Sequence, residues 1–196
     1  MTDDLRKNTR LRCRALILDH DDTVVTGTED VHYPALVEAM RIIRPELEPC
    51  SLQEWLEKNH HPGVMPYLNS IFTTPEQMKQ QYEIWHSFMD RKPSFYDGMP
   101  ELLAEFRARG GLVAVVSHSP SHLIESHYAA HPLSAQISPD LILGWDEDPE
   151  RRKPSPWPAL HALEALGVNA EEALVLDDLS PGIDMGRAAG VSVAAA

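Results

Sequence analysis

Asp19, Asp21 and Asp22 place three carboxylates within four residues, directly after the apolar run Leu16-Ile17-Leu18. Like charges this close repel unless a cation compensates them. A second apolar run, Ala173-Leu174-Val175-Leu176, ends the same way at Asp177 and Asp178. Two acidic strand ends meeting at a sheet edge would make a hard-oxygen site. That donor set suits Mg2+ together with water and a substrate phosphate. Two further segments add complementary chemistry. Ser117, His118 and Ser119 follow the run Val113–Val116. A hydroxyl there, with the amides of a helix start beyond it, can hold an anion. Arg151-Arg152-Lys153 follows a third apolar run, and a lysine there could neutralise phosphate charge beside the carboxylates. Each segment also has a plainer reading: an acidic turn or N-cap, a serine that merely caps a helix, or a solvated basic patch.

The overall charge sharpens the requirement. A formal net charge of −13 repels nucleic acid, which argues against a nucleic-acid partner. It would equally repel a phosphorylated small molecule, so a site for one must overturn the field locally with a cation, a lysine and backbone amides. The chain is 43% hydrophobic and 24% charged, a globular rather than disordered composition. No apolar run reaches the roughly 20 residues that span a bilayer, so no membrane partner is expected. Met1–Arg14 is polar and lacks the apolar stretch of a secretory signal. Cys13 and Cys50 make no disulfide framework, which fits a cytoplasmic setting.

Elements must position these residues. Ala15–Leu18, Leu112–Val116, Leu141–Leu143, Ala173–Leu176 and Val191–Ala195 are short apolar runs without polar alternation. That pattern suits strands of a parallel sheet covered on both faces. Between them, Pro100–Arg109 and Pro158–Leu166 carry helical apolar faces that start near a proline and stop at glycine. Strand alternating with helix predicts a doubly wound α/β domain. The stretch from Thr23 to Gly111 is far longer than a crossover needs. Helical patterns recur in it at His32–Ile43, at Leu52–Leu56 after a capping box of Ser51 and Glu54, and at Pro75–Met89. Residues 26–92 are therefore expected to form a helical insertion with its own small core, leaving residues 1–25 and 93–196 as the α/β domain.

In chain order these signals run DxDxT, apolar-strand serine, Lys-Pro, acidic pair. With Phe95–Leu103 before the second strand and Asp177–Gly182 followed by Ala188–Val191, they resemble the haloacid dehalogenase superfamily of phosphohydrolases. The resemblance covers Arg14 to the end, apart from the insertion. It implies a Rossmann-like core, a helical cap of the C1 type in place of the insertion, and hydrolysis of a small phosphorylated metabolite with Mg2+. Asp19 would be the nucleophile and a metal ligand. Asp21 would serve as acid and then base, and offer its backbone carbonyl to the metal. Thr23, Ser117, His118 and Lys153 would hold or support the phosphoryl group. Asp178 would ligate the metal, with Asp177 as second ligand or orienting partner. Two positions depart from the family pattern: Asp22 stands where glycine is common, and Asp184 falls off the spacing of a further metal carboxylate, nearer to which lies Gly182. The family also usually continues further beyond Val193.

Related activities stay open. A dehalogenase shares the fold and the nucleophile, but the acidic Asp21 argues against it and against a phosphonatase. A phosphomutase keeps both aspartates. A phospho-acceptor module of the receiver type uses similar residues, with the acidic pair first rather than last. The ten histidines show no zinc spacing and read as loop and surface residues. His60-His61-Pro62-Gly63-Val64-Met65-Pro66-Tyr67 is predicted as a loop within the insertion. In the resembling family such a cap loop often enters the active site. His60, His61 and Tyr67 could there bind a polar leaving group, or the segment could be a plain connector.

Overall fold

The structure is a computed structural model that describes residues 12–89 and 91–196, so most of Met1–Arg14 lies outside the described residues. The five apolar runs form five strands: β1 (Ala15–Leu18), β2 (Leu112–Val116), β3 (Leu141–Leu143), β4 (Ala173–Asp177) and β5 (Ser192–Ala195). They pair in parallel in the order β3-β2-β1-β4-β5. The chain builds outward from β1 on one side and then returns to its other side with β4. That return makes a switch point beside β1, where an open α/β sheet binds its ligands. The order also differs from the doubly wound 2-1-3-4-5 order of receiver modules, which sets that reading aside.

Helices α5 (Met99–Ala108), α6 (Ser121–Ala130), α7 (Ser134–Ile137), α8 (Trp157–Leu166) and α9 (Ser180–Ala188) belong to the same unit, which comprises residues 12–19 and Asp97–Ala196. Its core joins Ala15, Ile17, Ala114, Val116 and Val175 of the sheet to Ala159, Ala162 and Leu163 of α8 and Met185 of α9. The helix starts follow the sequence closely, because Pro100 and Pro158 occupy first-turn positions that need no N–H partner.

The second unit spans His20–Tyr96. It contains a π-helical turn (Thr28–His32) running into α1 (Tyr33–Ile43), then α2 (Leu52–His60), α3 (Val64–Ile71) and α4 (Pro75–Phe88). Leu36, Ala39 and Met40 of α1 pack with Trp55, Leu68, Ile71 and Phe72 in its own core. The capping box of Ser51 and Glu54 forms as its spacing predicts. The limits of this unit lie outside residues 26–92 because Val25 bridges Phe95 and Val24 accepts from Tyr96, tying both entering segments together.

One local expectation is corrected. The segment from His60 to Tyr67 is not a loop throughout: only residues 61–63 separate α2 from α3, and Tyr67 lies on α3. Pro66 sits in the first turn of α3, where a proline removes no helical hydrogen bond. Among the described residues no helix is long and apolar enough to cross a membrane.

Candidate active site

Register decides which residues meet in the first unit. Leu18 pairs with Leu176 on one side and Val115 on the other. Asp19 and Asp177 therefore stand side by side at the C-terminal edge of the sheet. The Asp19 N–H still donates to Leu176 O at 2.9 Å, extending the ladder to the floor of the site. Asp19, Asp177 and Asp178 each bring a carboxylate oxygen to within 4.8 Å of the other two. Three converging hard-oxygen donors fit a divalent cation of the Mg2+ type. No histidine joins this group among the described residues.

Lys153 enters from the segment after β3. Of the three consecutive basic residues, Arg151 is exposed, Arg152 half-buried and Lys153 buried, so the solvated-patch reading does not hold for the lysine. Its Nζ donates to Asp19 Oδ1 at 2.6 Å and to Asp177 Oδ2 at 2.8 Å. Burial works to lower the ammonium pKa, but the two carboxylates and their hydrogen bonds outweigh it and hold it above the ordinary lysine value. Burial and the neighbouring Asp19 charge push the Asp177 carboxyl upward, against the pull of Lys153. The other oxygen of Asp177 accepts from Leu179 N at 2.9 Å. Asp177 is thus pinned on both sides, while half-buried Asp178 follows it at the strand end. Gly182 is required by this arrangement: a Cβ there would fall 1.7 Å from Asp177 Oδ2. Asp184 is exposed on α9 beside Arg187, away from the acidic group.

Ser117 is buried, and its Oγ accepts from Ser119 N at 3.0 Å. Neither serine caps α6, whose N-cap is Pro120. The capping reading is therefore set aside. His118 Nε2 lies 3.2 Å from the Lys153 carbonyl. A carbonyl only accepts, so Nε2 carries the proton. Burial, then the Lys153 charge, lowers the His118 pKa. Trp145 meets the His118 ring edge-on and carries Arg152 over its face at 4.2 Å. These contacts brace the segment that delivers Lys153. Tyr128, which sequence reasoning missed, is buried on α6, and burial together with the Asp19 charge raises its phenol pKa. Nothing in the spacing of α6 announces that residue.

Asp21 and Thr23 belong to the second unit, half-buried and buried respectively. Asp22, at the position where the resembling family favours glycine, has φ 61°. Aspartate tolerates this left-handed region better than most residues, and its Oδ1 accepts from Thr28 N at 2.8 Å. Asp22→Ala is expected to lose about 1–2 kcal/mol of stability in urea titration, keeping the strain and losing the bond. Asp22→Gly should cost less, since relief of the backbone offsets the lost acceptor. Equal losses for both variants would contradict this account.

His60 and His61 are exposed at the α2–α3 turn. Tyr67 instead packs against Trp55, 5.7 Å between ring centroids, with Lys58 over its face at 4.8 Å. The histidines are not all superficial: His20 and His127 are buried.

Comparison with known proteins finds a matching family and relatives along most of the chain. A family described as haloacid dehalogenase-like hydrolase matches residues 16–196. A phosphoglycolate phosphatase of Aquifex aeolicus is 28% identical, over 93% of this chain and 84% of the relative. An N-acetylmuramic acid 6-phosphate phosphatase of Pseudomonas aeruginosa is 26% identical, over 95% and 82%. Among solved structures, a predicted phosphoglycolate phosphatase from Haemophilus somnus superposes with a TM-score of 0.78 at 18% identity, covering 95% of this chain and 86% of that one. CbbY from Rhodobacter sphaeroides in complex with phosphate gives a TM-score of 0.67 at 22% identity, covering 94% and 87%. With the family matched across nearly the whole described chain, this protein belongs to the haloacid dehalogenase-like hydrolases.

Proposed function

We propose that this hydrolase is a Mg2+-dependent phosphatase acting on a small phosphate monoester through an aspartyl-phosphate on Asp19. The observation that carries the reading is the convergence of Asp19, Asp177 and Asp178 with the buried ammonium of Lys153. Carboxylates and a lysine packed this way suit an anion bound together with a divalent cation. The family membership and the phosphatase names of its relatives support the same reading.

Asp19 attacks phosphorus, and the bond from phosphorus to the ester oxygen breaks. Asp21, two residues along the chain and so within about 7 Å of backbone reach, gives its proton to the departing oxygen. The alcohol leaves, and Asp19 carries the phosphoryl group. Asp21, now a carboxylate, takes a proton from water as that water attacks phosphorus. Inorganic phosphate departs and Asp19 is restored. Ser117 and Lys153 hold phosphoryl oxygens, with His118 bracing the lysine backbone and Thr23 supporting the phosphate or Asp21. Mg2+, held by Asp19 and Asp178 with the Asp21 carbonyl and with Asp177 as second ligand or orienting partner, would neutralise charge on the phosphoryl oxygens. We assign the helical unit, residues 26–92 within it, as the cap, and His60, His61 and Tyr67 as residues that recognise the leaving group.

The test is a panel of sugar phosphates, phosphoglycolate and nucleotides, assayed with and without Mg2+. Activity should disappear with chelator and return with Mg2+. Asp178→Ala should raise the Mg2+ concentration needed for half activity by about tenfold or more. Ser117→Ala should raise KM and leave that concentration nearly unchanged. Full turnover in metal-free buffer would reject the assignment.

A further inference from the structure

Asp21 of the second unit lies against both ends of the π-helical turn, Gly27 at its start and His32 at its end. A Cβ at Gly27 would stand 2.1 Å from Asp21 Oδ1, so only a residue without a side chain admits the carboxylate. His32, the last residue of the π-helical turn, brings Nε2 to 3.6 Å from the same Oδ1. Behind His32 stands Trp85 of α4, the helix that packs on both the π-helical turn and α1. Trp85 Nε1 donates to His32 Nδ1 at 3.1 Å. The two rings lie nearly parallel, at 16° and 6.1 Å between centroids.

This chain of contacts fixes the direction of the imidazole. An indole N–H can only donate, so His32 Nδ1 must accept. The proton of the neutral ring then sits on Nε2, the nitrogen facing Asp21. A separation of 3.6 Å is beyond a hydrogen bond, but contacts of catalytic groups commonly close up when substrate binds. An N–H aimed at Oδ1 engages that oxygen and leaves Oδ2 to carry the proton that must be transferred. His32 closes a π-helical turn, a rare element that is frequent at functional sites.

We propose that His32, oriented by Trp85, is a positioning residue for Asp21, selecting the carboxyl oxygen that delivers the proton. The proposal rests on the acid role given to Asp21 above. It assigns a task to two residues, His32 and Trp85, that lie outside the acidic cluster and far apart in sequence.

The test compares two probes, glycerol 2-phosphate, whose alkoxide needs a proton to leave, and p-nitrophenyl phosphate, whose phenolate scarcely does. The readout is kcat/KM, which reports steps up to phosphoryl transfer. His32→Phe should lower the value for glycerol 2-phosphate by about 10- to 100-fold, the scale of removing a support behind a functional group. The value for p-nitrophenyl phosphate should fall far less. His32→Gln, which restores an N–H near the Nε2 position, should recover most of the loss. Trp85→Phe keeps the stacked ring but not the N–H. It should show the same selectivity at smaller amplitude, and no further loss when combined with His32→Phe. Equal loss on both probes, no loss, or additive effects of the two variants would overturn the proposal. Asp21→Asn is the control for the underlying reading. If it shows no preference between probes, the acid role itself fails. If it shows the preference and His32→Phe does not, only the positioning role fails.

Discussion

Asp19→Asn is expected to lower kcat by roughly a millionfold, the scale reached when a covalent nucleophile is removed, while the protein still folds. The chemical part is direct. An amide oxygen cannot form the acyl phosphate, so the two-step route through Asp19 closes. The structural part follows from Lys153. In the native chain its Nζ bonds both Asp19 and Asp177. Asparagine keeps an acceptor oxygen at nearly the same place, so the ammonium retains two acceptors and one full counter-charge. The melting temperature should accordingly shift by only a few degrees, the change expected for about 1 kcal/mol in a chain of this size. The decisive measurement is a quenched-flow search for phosphorylated protein with radiolabelled substrate. Native enzyme should trap label in an acid-stable pool at short times, and the variant should trap none. Label in Asp19→Asn, or turnover near the native rate, would remove Asp19 as the nucleophile.

The site and its fold differ in how far the sequence discloses them. The strands were legible because uninterrupted runs such as Leu112–Val116 and Ala173–Leu176 carry their own signal of burial on both faces. The parallel register then follows with little freedom, and it brings Asp19 beside Asp177. The cap of α2 was legible because Ser51 and Glu54 satisfy a local rule that needs no tertiary partner. The α2–α3 connection was misread because Pro66 is both a loop marker and an ordinary first-turn residue, and only the helix around it decides between them. The π-helical turn at Thr28–His32 has no sequence signature, since its wider hydrogen-bond loop reflects tertiary demands. Gly182 is similar: its need to be glycine comes from Asp177 lying against α9, a contact made by folding. Burial of one basic residue among three is the hardest case. Arg151, Arg152 and Lys153 look alike in sequence, and only the path of the segment after β3 sends one of them inward.

That burial makes Lys153 the residue whose loss should be felt most in stability as well as in turnover. The ammonium side chain is 6% exposed and the carboxylates of Asp19 and Asp177 are 9% and 2% exposed. Taking the lysine away leaves two carboxylates close together with little water to screen them. Removing one partner from a buried charge group typically costs about 3–5 kcal/mol, because the remaining charges lose their compensation. Lys153→Met keeps most of the apolar stem, so packing changes little and the electrostatic loss dominates. The variant should unfold at clearly lower urea concentration than the native chain in metal-free buffer, with an unchanged slope. Phosphatase activity should fall together with it, since no cation then holds the phosphoryl oxygens from this side. The same reasoning predicts a reversal. A divalent cation bound by Asp19, Asp177 and Asp178 supplies the missing positive charge, so saturating Mg2+ should stabilise Lys153→Met more than it stabilises the native protein. Lowering the pH toward the carboxylate range should narrow the difference as well, because protonation of Asp19 or Asp177 removes the repulsion; burial already pushes Asp177 upward. The sign follows from linkage. A carboxyl whose pKa is raised in the folded state binds protons more readily there than when unfolded, so the folded variant gains relative stability as pH falls through that raised value. Urea titrations of both proteins, with and without Mg2+, measure the effect. If Lys153→Met matches the native protein in metal-free buffer and responds equally to Mg2+, then Lys153 does not neutralise the acidic cluster, and the phosphate-holding role assigned to it falls with that.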